Sequence, residues 1–267
     1  MQIETQNERP NAEYDLIEVG IKDLKTFIVL KKNGQHYHFV PTVEVSFDLP
    51  KTVRGAHMSR IIESISEIIT ERKVCESAEK MQVNILKKLK QKHAFKHGRI
   101  VFTFDYGYNS ITPISHRKTW EICKVTTETL INENDEFTHK VTVEVIGNTV
   151  CPHAMANNDG KTHIQRAIGK LTIIGNINMI PNYDKMIEIV ESAFSSKTYA
   201  LLKTDDESFV VQQMYDNPIF VEDLCRNILN NSEKHLRGRN LEICAEAISF
   251  ESIHKHNVIA RGRIRIQ

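Results

Sequence analysis

The spacing of apolar residues divides the first half of the chain into strands and helices. Segments rich in apolar and β-branched residues predict four strands, at 19–32, 35–49, 99–107 and 118–131. The Asn33-Gly34 dipeptide between the first two is typical of a tight hairpin turn. After Gly55 the apolar period becomes helical, which predicts two helices. Their apolar faces consist of Ile61, Ile62, Ile65, Ile68 and Ile69 in the first, and Ala78, Met81, Ile85, Leu86 and Leu89 in the second.

The second half repeats this order after a polar connector at 132–136. Its predicted strands are 137–145, 163–177, 241–250 and 257–266. Two helical periods lie between them, and Asn217-Pro218 opens the second as a cap and first-turn proline. The order strand, strand, helix, helix, strand, strand therefore occurs twice. It predicts an α+β fold with two antiparallel sheets, each with both helices on one face. The predicted divisions are an N-terminal polar segment 1–18, a first unit 19–132 and a second unit 137–267.

Composition narrows the class of protein. The 267 residues include 35 Lys and Arg against 34 Asp and Glu, and this balance excludes a nucleic-acid binder that relies on a basic surplus. The five cysteines are widely spread and form no CxxC pair, which favours a reducing compartment. No apolar run approaches the roughly 20 residues of a membrane-spanning helix. The sequence therefore predicts a cytoplasmic protein with neither a membrane nor a nucleic-acid partner.

One cysteine and one histidine form the best candidate for a metal site. Cys151 lies in the irregular stretch between two predicted strands, and His163 begins the returning strand. A thiolate and an imidazole that meet across such a loop suit Zn²⁺ or Fe²⁺. Their spacing matches no stand-alone metal signature, so a buried cysteine beside solvent-facing loop histidines is an equally good interpretation.

Several polar residues near chain turns allow both a structural and a chemical interpretation. Glu251 and His254 occupy the turn before the last strand, where a polar hairpin turn is the simpler explanation. Two acidic stretches also allow two interpretations. Asp205-Asp206-Glu207 caps the segment that starts there, and Glu222-Asp223 falls in a helix first turn, where carboxylates complement the helix dipole. A carboxylate can also accept hydrogen bonds from guanine N1–H and its exocyclic amine, so either stretch is a candidate purine ligand.

A series of short motifs, in order along the chain, resembles the type IB GTP cyclohydrolases, including the archaeal enzymes of tetrahydromethanopterin synthesis. The resemblance covers nearly all of the chain after the first dozen or so residues. The motifs are VGIKDL (19–24), DLP (48–50), GAHMSR (55–60), CP (151–152), THIQR (162–166), LLKTDDE (201–207), YDNPIFVED (215–223) and FESIHKH (250–256).

The resemblance implies a fold, an assembly and a reaction. The fold is the tunnelling fold (T-fold), with two tandem ββααββ units per chain, and the assembly is a homotetramer. The reaction converts GTP to a 7,8-dihydroneopterin phosphate with release of formate, as the first step of folate or tetrahydromethanopterin biosynthesis. One branch of the family makes the triphosphate and the methanopterin branch makes the 2′,3′-cyclic phosphate, so both products stay open.

The resemblance also implies roles for individual residues. Each active site would hold one divalent metal, with Fe²⁺ expected first and Zn²⁺ or Mn²⁺ as alternatives. The implied metal ligands are Cys151, His163 and Glu207. The implied catalytic residues are Cys151, His163, Glu251 and His254. The implied substrate contacts are Glu222 on guanine and Arg166, Lys203 and Arg60 on the triphosphate.

The sequence departs from the family pattern in two places, and two other functions compete. His153 stands where the family commonly has a second cysteine, and Ala56 stands where it commonly has threonine. One alternative is another T-fold enzyme of purines or pterins, such as a nitrile reductase with Cys151 as nucleophile. The other is a non-catalytic protein that binds guanine nucleotides through Glu222.

Overall fold

A computed structural model describes residues 5–32, 35–70 and 75–267. The chain divides into two compact units: unit 1 comprises 1–104 and 126–140, and unit 2 comprises 105–125 and 141–267. The predicted segments 1–18, 19–132 and 137–267 are continuous in sequence, whereas these units follow spatial proximity. The predicted segments therefore stay a prediction. Three strands contribute residues to both units: β5 (Gly98–Ile111), β6 (Lys118–Ile131) and β7 (Phe137–Val150).

Unit 1 begins with four strands followed by two helices. These are β1 (Leu16–Lys25), β2 (Ile28–Lys32), β3 (Gln35–Phe39), β4 (Thr42–Leu49), α1 (Met58–Thr70) and α2 (Ala78–Lys92). Strand β4 pairs antiparallel with β1 and with β5. Between β1 and β4 the chain forms a separate two-stranded sheet of β2 and β3, in which Ile28 pairs with Phe39. The predicted Asn33-Gly34 turn lies outside the described residues.

The helices of unit 1 follow the predicted apolar period. Helix α1 buries Ile61, Ile65 and Ile68, and α2 buries a corresponding apolar face. The side chain of Ser77 caps α2 by accepting a hydrogen bond from Lys80 N at 3.2 Å, which satisfies one amide of the first turn. These buried faces remove apolar surface from water, which is the main favourable contribution to folding.

Unit 2 contains four helices and the strands of the C-terminal half. Its remaining elements are α3 (Pro152–Ala156), β8 (Ile164–Gly175), α4 (Tyr183–Glu191), β9 (Ser196–Lys197), α5 (Thr204–Asp216), α6 (Val221–Leu236), β10 (Leu241–Ser249) and β11 (Val258–Ile266). The strands follow the order β7, β8, β10, β11, and β9 pairs with β7. Helix α6 packs on β8, β10 and β11, and α4 packs on β8 and α6. Within the described residues, none of the helices combines the length and apolar character needed to span a bilayer.

The predicted tunnelling-fold arrangement, with two tandem ββααββ units and the helices on one face of antiparallel sheets, is wrong. Unit 1 inserts the β2–β3 sheet, and unit 2 adds α3, β9 and a third long helix to the predicted order. The helices also do not share one face. Whereas α6 covers strands, α5 packs its Val210 and Met214 against Val150 at the end of β7 and Ile164 at the start of β8. Apolar periodicity predicted α1, α2, α4 and α6 but neither α3 nor α5, and it did not indicate the surfaces that the helices cover.

Each unit carries a row of charged side chains that alternate in sign from strand to strand, which we call the charge ladder. Neighbouring members form ion pairs at 2.5 to 3.8 Å, and the side chains are partly exposed. Cross-strand pairs of opposite charge stabilise a sheet modestly, whereas like charges in the same places would destabilise it. The members are Lys22, Glu44, Arg99, Glu128 and Lys140 in unit 1, and Glu144, Lys170, Glu246 and Arg261 in unit 2.

Three polar side chains form a buried hydrogen-bonded chain in unit 1. Thr129 Oγ1 donates to Gln82 Oε1 at 2.8 Å and lies 3.0 Å from His139 Nδ1. Gln82 Nε2 in turn donates to the carbonyl of Thr127 at 2.9 Å. Because Thr129 Oγ1 uses its proton on Gln82, it accepts from His139 Nδ1–H. Burial lowers the pKa of His139, so the ring stays neutral here.

We expect acid to destabilise the protein through His139. Its folded-state pKa lies below the unfolded value of about 6.5, so the unfolded chain binds this proton first as the pH falls. The free energy of unfolding should therefore decrease between about pH 7 and pH 5. His139→Gln should be less stable at neutral pH but lose less stability on acidification, as measured by urea unfolding at several pH values. His36→Gln, a control at an exposed position, should keep the wild-type pH dependence of the free energy of unfolding. If His139→Gln also keeps it, His139 is not the source of the loss of stability in acid.

Candidate active site

Cys151 and His163 meet at the point where β7 ends and β8 begins. Cys151 N donates to the carbonyl of His163 at 3.4 Å, and Thr162 Oγ1 donates to the carbonyl of Cys151 at 2.7 Å. Cys151 also precedes α3, and its sulfur accepts a hydrogen bond from Ala154 N at 3.4 Å. Both side chains are half-buried. Backbone pairing thus brings Cys151 and His163 side by side despite the loop between them.

The orientation of the His163 ring follows from its hydrogen bonds. Nδ1 lies 2.9 Å from Gln165 Oε1 and 3.4 Å from Ser252 Oγ. An amide oxygen only accepts, so Nδ1 carries the proton and Nε2 carries the lone pair. Nε2 is therefore the ring nitrogen that can bind a metal.

The turn after β10 brings Glu251 to the same end of the sheet. Ser249 Oγ donates to Glu251 Oε1 at 2.7 Å and lies 3.5 Å from Thr149 Oγ1 on β7. Phe250 N donates to the carbonyl of Arg166 at 2.9 Å, which joins this turn to the start of β8. The predicted residues Glu251 and Arg166 are therefore neighbours of the Cys151–His163 pair along paired strands.

His254 lies further along the same turn. Its ring stacks on that of His256, with centroids 5.1 Å apart and planes inclined by 16°. Both histidines are exposed. His254 is thus accessible from solvent, and its role in proton transfer stays a prediction.

Helix α5 lies behind the Cys151–His163 pair. Its Val210 and Met214 pack with Val150, the residue before Cys151, and with Ile164, the residue after His163. Glu207 precedes Val210 by three residues and Met214 by seven, so it shares their face of the helix one turn nearer the N-terminus. Glu207 is exposed, and its position on this face directs it toward the same side of the helix as the pair.

Asp206 fixes the start of α5. Its side chain is fully buried and accepts hydrogen bonds from Ile114 N, Ser115 N and Lys203 N at 2.8 to 3.0 Å and from Ser115 Oγ at 2.6 Å. Burial alone would raise the pKa of Asp206, but the hydrogen bonds from Ser115, Lys203 and Ile114 outweigh it and hold the pKa far below the usual range. A carboxylate therefore joins the loop between β5 and β6 to the helix that carries Glu207.

Glu222 lies in the first turn of α6, close in sequence to a contact with β7. Val150 forms an isolated antiparallel bridge with Ile219, three residues before Glu222. The neighbouring Asp223 caps the helix by accepting from Phe220 N at 3.2 Å and pairs with Arg226. Glu222 itself is exposed, and its contact with guanine stays a prediction.

The other predicted phosphate contacts are less closely joined to this site. Lys203 is exposed at the N-cap of α5, and Arg166 is exposed at the start of β8. Arg60 is half-buried in α1 and belongs to unit 1. Their contact with a triphosphate stays a prediction.

The donor set was tested for its fit to a divalent metal. In the part of the chain that the structure describes, no three His, Cys, Asp or Glu side chains are close enough together to hold a metal ion. Cys151 and His163 fit in chemistry, since sulfur and an outward imidazole Nε2 are ligands of Zn²⁺ and Fe²⁺. Glu207 would add an oxygen ligand from the adjoining helix. The three residues thus fit a divalent metal in chemical type, and the structure places the backbones of Cys151 and His163 next to each other.

Comparison with known sequences decides the family. A family model described as "Type I GTP cyclohydrolase folE2" matches residues 3–260. The chain belongs to this family. The resemblance found in the sequence is thereby confirmed at the level of type I GTP cyclohydrolases, although the family is described as folE2 rather than as type IB.

Relatives of this folE2 family member align over nearly their full lengths. The chain is 44% identical to "GTP cyclohydrolase MptA" of Pyrococcus abyssi over 268 residues, which cover 98% of this chain and 99% of the relative. It is 43% identical to the protein of the same name from Pyrococcus furiosus, with 97% and 98% covered. It is 32% identical to "GTP cyclohydrolase FolE2" of Fervidobacterium nodosum, with 96% and 95% covered.

Solved structures resemble the chain in fold alone. Uricase from Arthrobacter globiformis superposes with a TM-score of 0.57 at 9% identity, covering 93% of both chains. A hyper-thermostable variant of the same uricase gives a TM-score of 0.58 at 10% identity, with 94% and 92% covered. The folE2 family member therefore shares with uricase a mostly antiparallel sheet with helices.

Sequence reasoning missed two residues of this site. The sequence suggested only that Asp206, with Asp205 and Glu207, caps the segment that starts there. Its partners Ile114 and Ser115 lie 92 and 91 residues away and leave no local signal. Gln165 was not singled out. Its position two residues after His163 on a strand was the available signal, since such residues share a face.

Replacing Asp206 should loosen α5. In Asp206→Asn the amide nitrogen would face buried N–H donors, so we expect a lower midpoint of thermal unfolding at pH 7. Because the folded pKa of Asp206 is depressed, its contribution is present above the unfolded pKa of about 3.9 and is lost as the pH falls further. The stability difference from wild type should thus narrow below about pH 4. Calorimetry from pH 7 to below pH 4 measures this difference, and the exposed Asp205→Asn is the control. If the two variants lose comparable stability at pH 7, the role of Asp206 is refuted.

Proposed function

We propose that this protein converts GTP to a 7,8-dihydroneopterin phosphate and releases formate. The observation that supports this most directly is the paired Cys151 and His163, with a stretch of α5 and the first turn of α6 joined to the same strand end. The product is a triphosphate or a 2′,3′-cyclic phosphate, and the pathway served is pterin biosynthesis for folate or tetrahydromethanopterin.

Cys151, His163 and Glu207 are proposed to hold one divalent metal, with Fe²⁺ first and Zn²⁺ or Mn²⁺ as alternatives. When bound, such a metal supplies Lewis acidity, which activates water near neutral pH for attack on C8 of the purine. Cys151 contributes a sulfur already oriented by Ala154 N, and His163 contributes Nε2. Glu207 completes the set from the first turn of α5.

His254 and Glu251 are proposed to move protons during ring opening. Attack on C8 and release of the formyl group both require protons to move at near-neutral pH, which suits a histidine. Glu251 is held by Ser249 Oγ at 2.7 Å, so its carboxylate is fixed beside the turn that carries His254. The two residues thus combine a fixed carboxylate with an accessible imidazole.

Substrate recognition is proposed to rest on charge at the two ends of GTP. Glu222 accepts hydrogen bonds from guanine N1–H and the exocyclic amine, and Arg166, Lys203 and Arg60 contact the triphosphate. Because the net charge of the protein is only +1, Arg166, Lys203 and Arg60 act as local contacts rather than as part of a general basic surface. The proposed assembly is a homotetramer.

Replacing Cys151 should abolish turnover without unfolding the protein. We expect Cys151→Ala to release no formate from GTP in an anaerobic assay with Fe²⁺, Mn²⁺ or Zn²⁺, because a metal ligand is lost. Cys244→Ala, which changes a half-buried cysteine in β10, should retain turnover. Mass analysis of the wild-type product distinguishes the triphosphate from the cyclic phosphate. Full turnover by wild type after chelation and removal of metal would refute the proposal.

Replacing Glu222 should weaken guanine recognition specifically. GTP and ITP differ in the exocyclic amine, and a site built to bond that group discriminates against the analogue that lacks it. Glu222→Gln should raise KM for GTP and reduce the preference for GTP over ITP by about tenfold or more. Glu233→Gln, at an exposed position near the C-terminal end of α6, should keep the wild-type preference. An unchanged preference in Glu222→Gln would remove the glutamate from guanine recognition.

A further inference from the structure

Gln165 is buried beside the imidazole of His163. The two residues are separated by one position at the start of β8, so their side chains share a face. Gln165 is only 9% exposed, and its Oε1 lies 2.9 Å from His163 Nδ1. A buried amide oxygen at this distance makes a well-formed hydrogen bond rather than a casual surface contact.

This hydrogen bond selects one form of the imidazole. Neutral histidine carries its proton on either ring nitrogen, and the partner of each nitrogen decides which. The carbonyl oxygen of Gln165 can accept only from a protonated Nδ1, which leaves the lone pair on Nε2. The same bond fixes the plane of the ring relative to β8 and therefore the direction of that lone pair.

We infer that Gln165 is a positioning residue that presents His163 Nε2 to the metal. This inference rests on the proposed function, because it assigns a role toward the metal proposed there. Gln165 itself binds neither metal nor substrate. Histidines that bind metals generally donate their other N–H to an oxygen, and loss of that oxygen weakens metal binding by about 10- to 100-fold.

Ser252 is the other group near Nδ1, and it serves as an internal comparison. Its Oγ lies 3.4 Å from Nδ1, near the limit of a hydrogen bond, and the residue is exposed in the turn after β10. An exposed hydroxyl both donates and accepts, so it does not select a tautomer. Ser252→Ala should therefore leave the tautomer and metal affinity as in wild type.

The first measurement uses metal-free protein. Long-range ¹H–¹⁵N correlation spectra of ring-labelled histidine, with His163 assigned by comparison with His163→Gln, report which nitrogen carries the proton. We expect Nδ1 in wild type and in Ser252→Ala, and a mixture of tautomers in Gln165→Leu. A proton on Nε2 in wild type would overturn the inference without reference to catalysis.

The second measurement is the affinity for Zn²⁺ and Co²⁺, determined by competition with a chromophoric chelator. Gln165→Leu should bind each metal about 10- to 100-fold more weakly than wild type. Gln165→Glu keeps an oxygen acceptor for Nδ1–H and should restore most of that affinity. Gln212→Leu, the same change at an exposed glutamine of α5, should leave affinity unchanged.

The outcomes separate this inference from the proposed function. Tight binding by wild type with equal affinity in Gln165→Leu overturns the role of Gln165 and leaves the metal site in place. Absence of metal binding by wild type overturns both. If Gln165→Leu does not fold, Gln165→Met replaces it, because methionine fills a similar volume without a strong hydrogen-bond acceptor. A metal affinity of Gln165→Met equal to that of wild type overturns the inference.

Discussion

The arrangement of the candidate site depends on one buried carboxylate. Asp206 has no exposed surface, and four hydrogen bonds from the loop between β5 and β6 and from the start of α5 hold it in its charged form. A buried charge keeps its partners in place, because losing any of them would leave it uncompensated. The orientation of α5 therefore follows from Asp206, and with it the positions of Glu207 and of the apolar residues behind Cys151 and His163.

The site combines a rigid part with an exposed part. The Cys151–His163 pair is set by strand pairing, by the Thr162 hydroxyl and by the amide of Gln165. The acidic residues Glu207 and Glu222 instead lie exposed in helix first turns. The two parts of the candidate site therefore differ in burial and in how closely the described hydrogen bonds hold their side chains.

Sequence alone predicted the local structure better than the architecture, and its list of site residues stays a prediction. Apolar periodicity located α1, α2, α4 and α6, because a helix that buries one face must repeat its apolar positions every three or four residues. The same signal did not show that α5 packs at a strand end, so the predicted arrangement of helices was wrong. Cys151 and His163 were candidates because their residue types carry chemistry, and the structure places them side by side. The roles of Asp206 and Gln165 were not predicted, since they arise from partners brought to them by folding.

The charge ladder constrains how these strands can be exchanged between related proteins. Each strand contributes one charge, and its sign is opposite to that of its neighbours within the unit. A strand taken from a relative would need a charge of the same sign at the same position. Otherwise the neighbouring strands would have to be exchanged with it, to avoid like charges side by side. The charges along this row are therefore coupled between strands that are far apart in the chain, because a single replacement that reverses one charge would place like charges side by side.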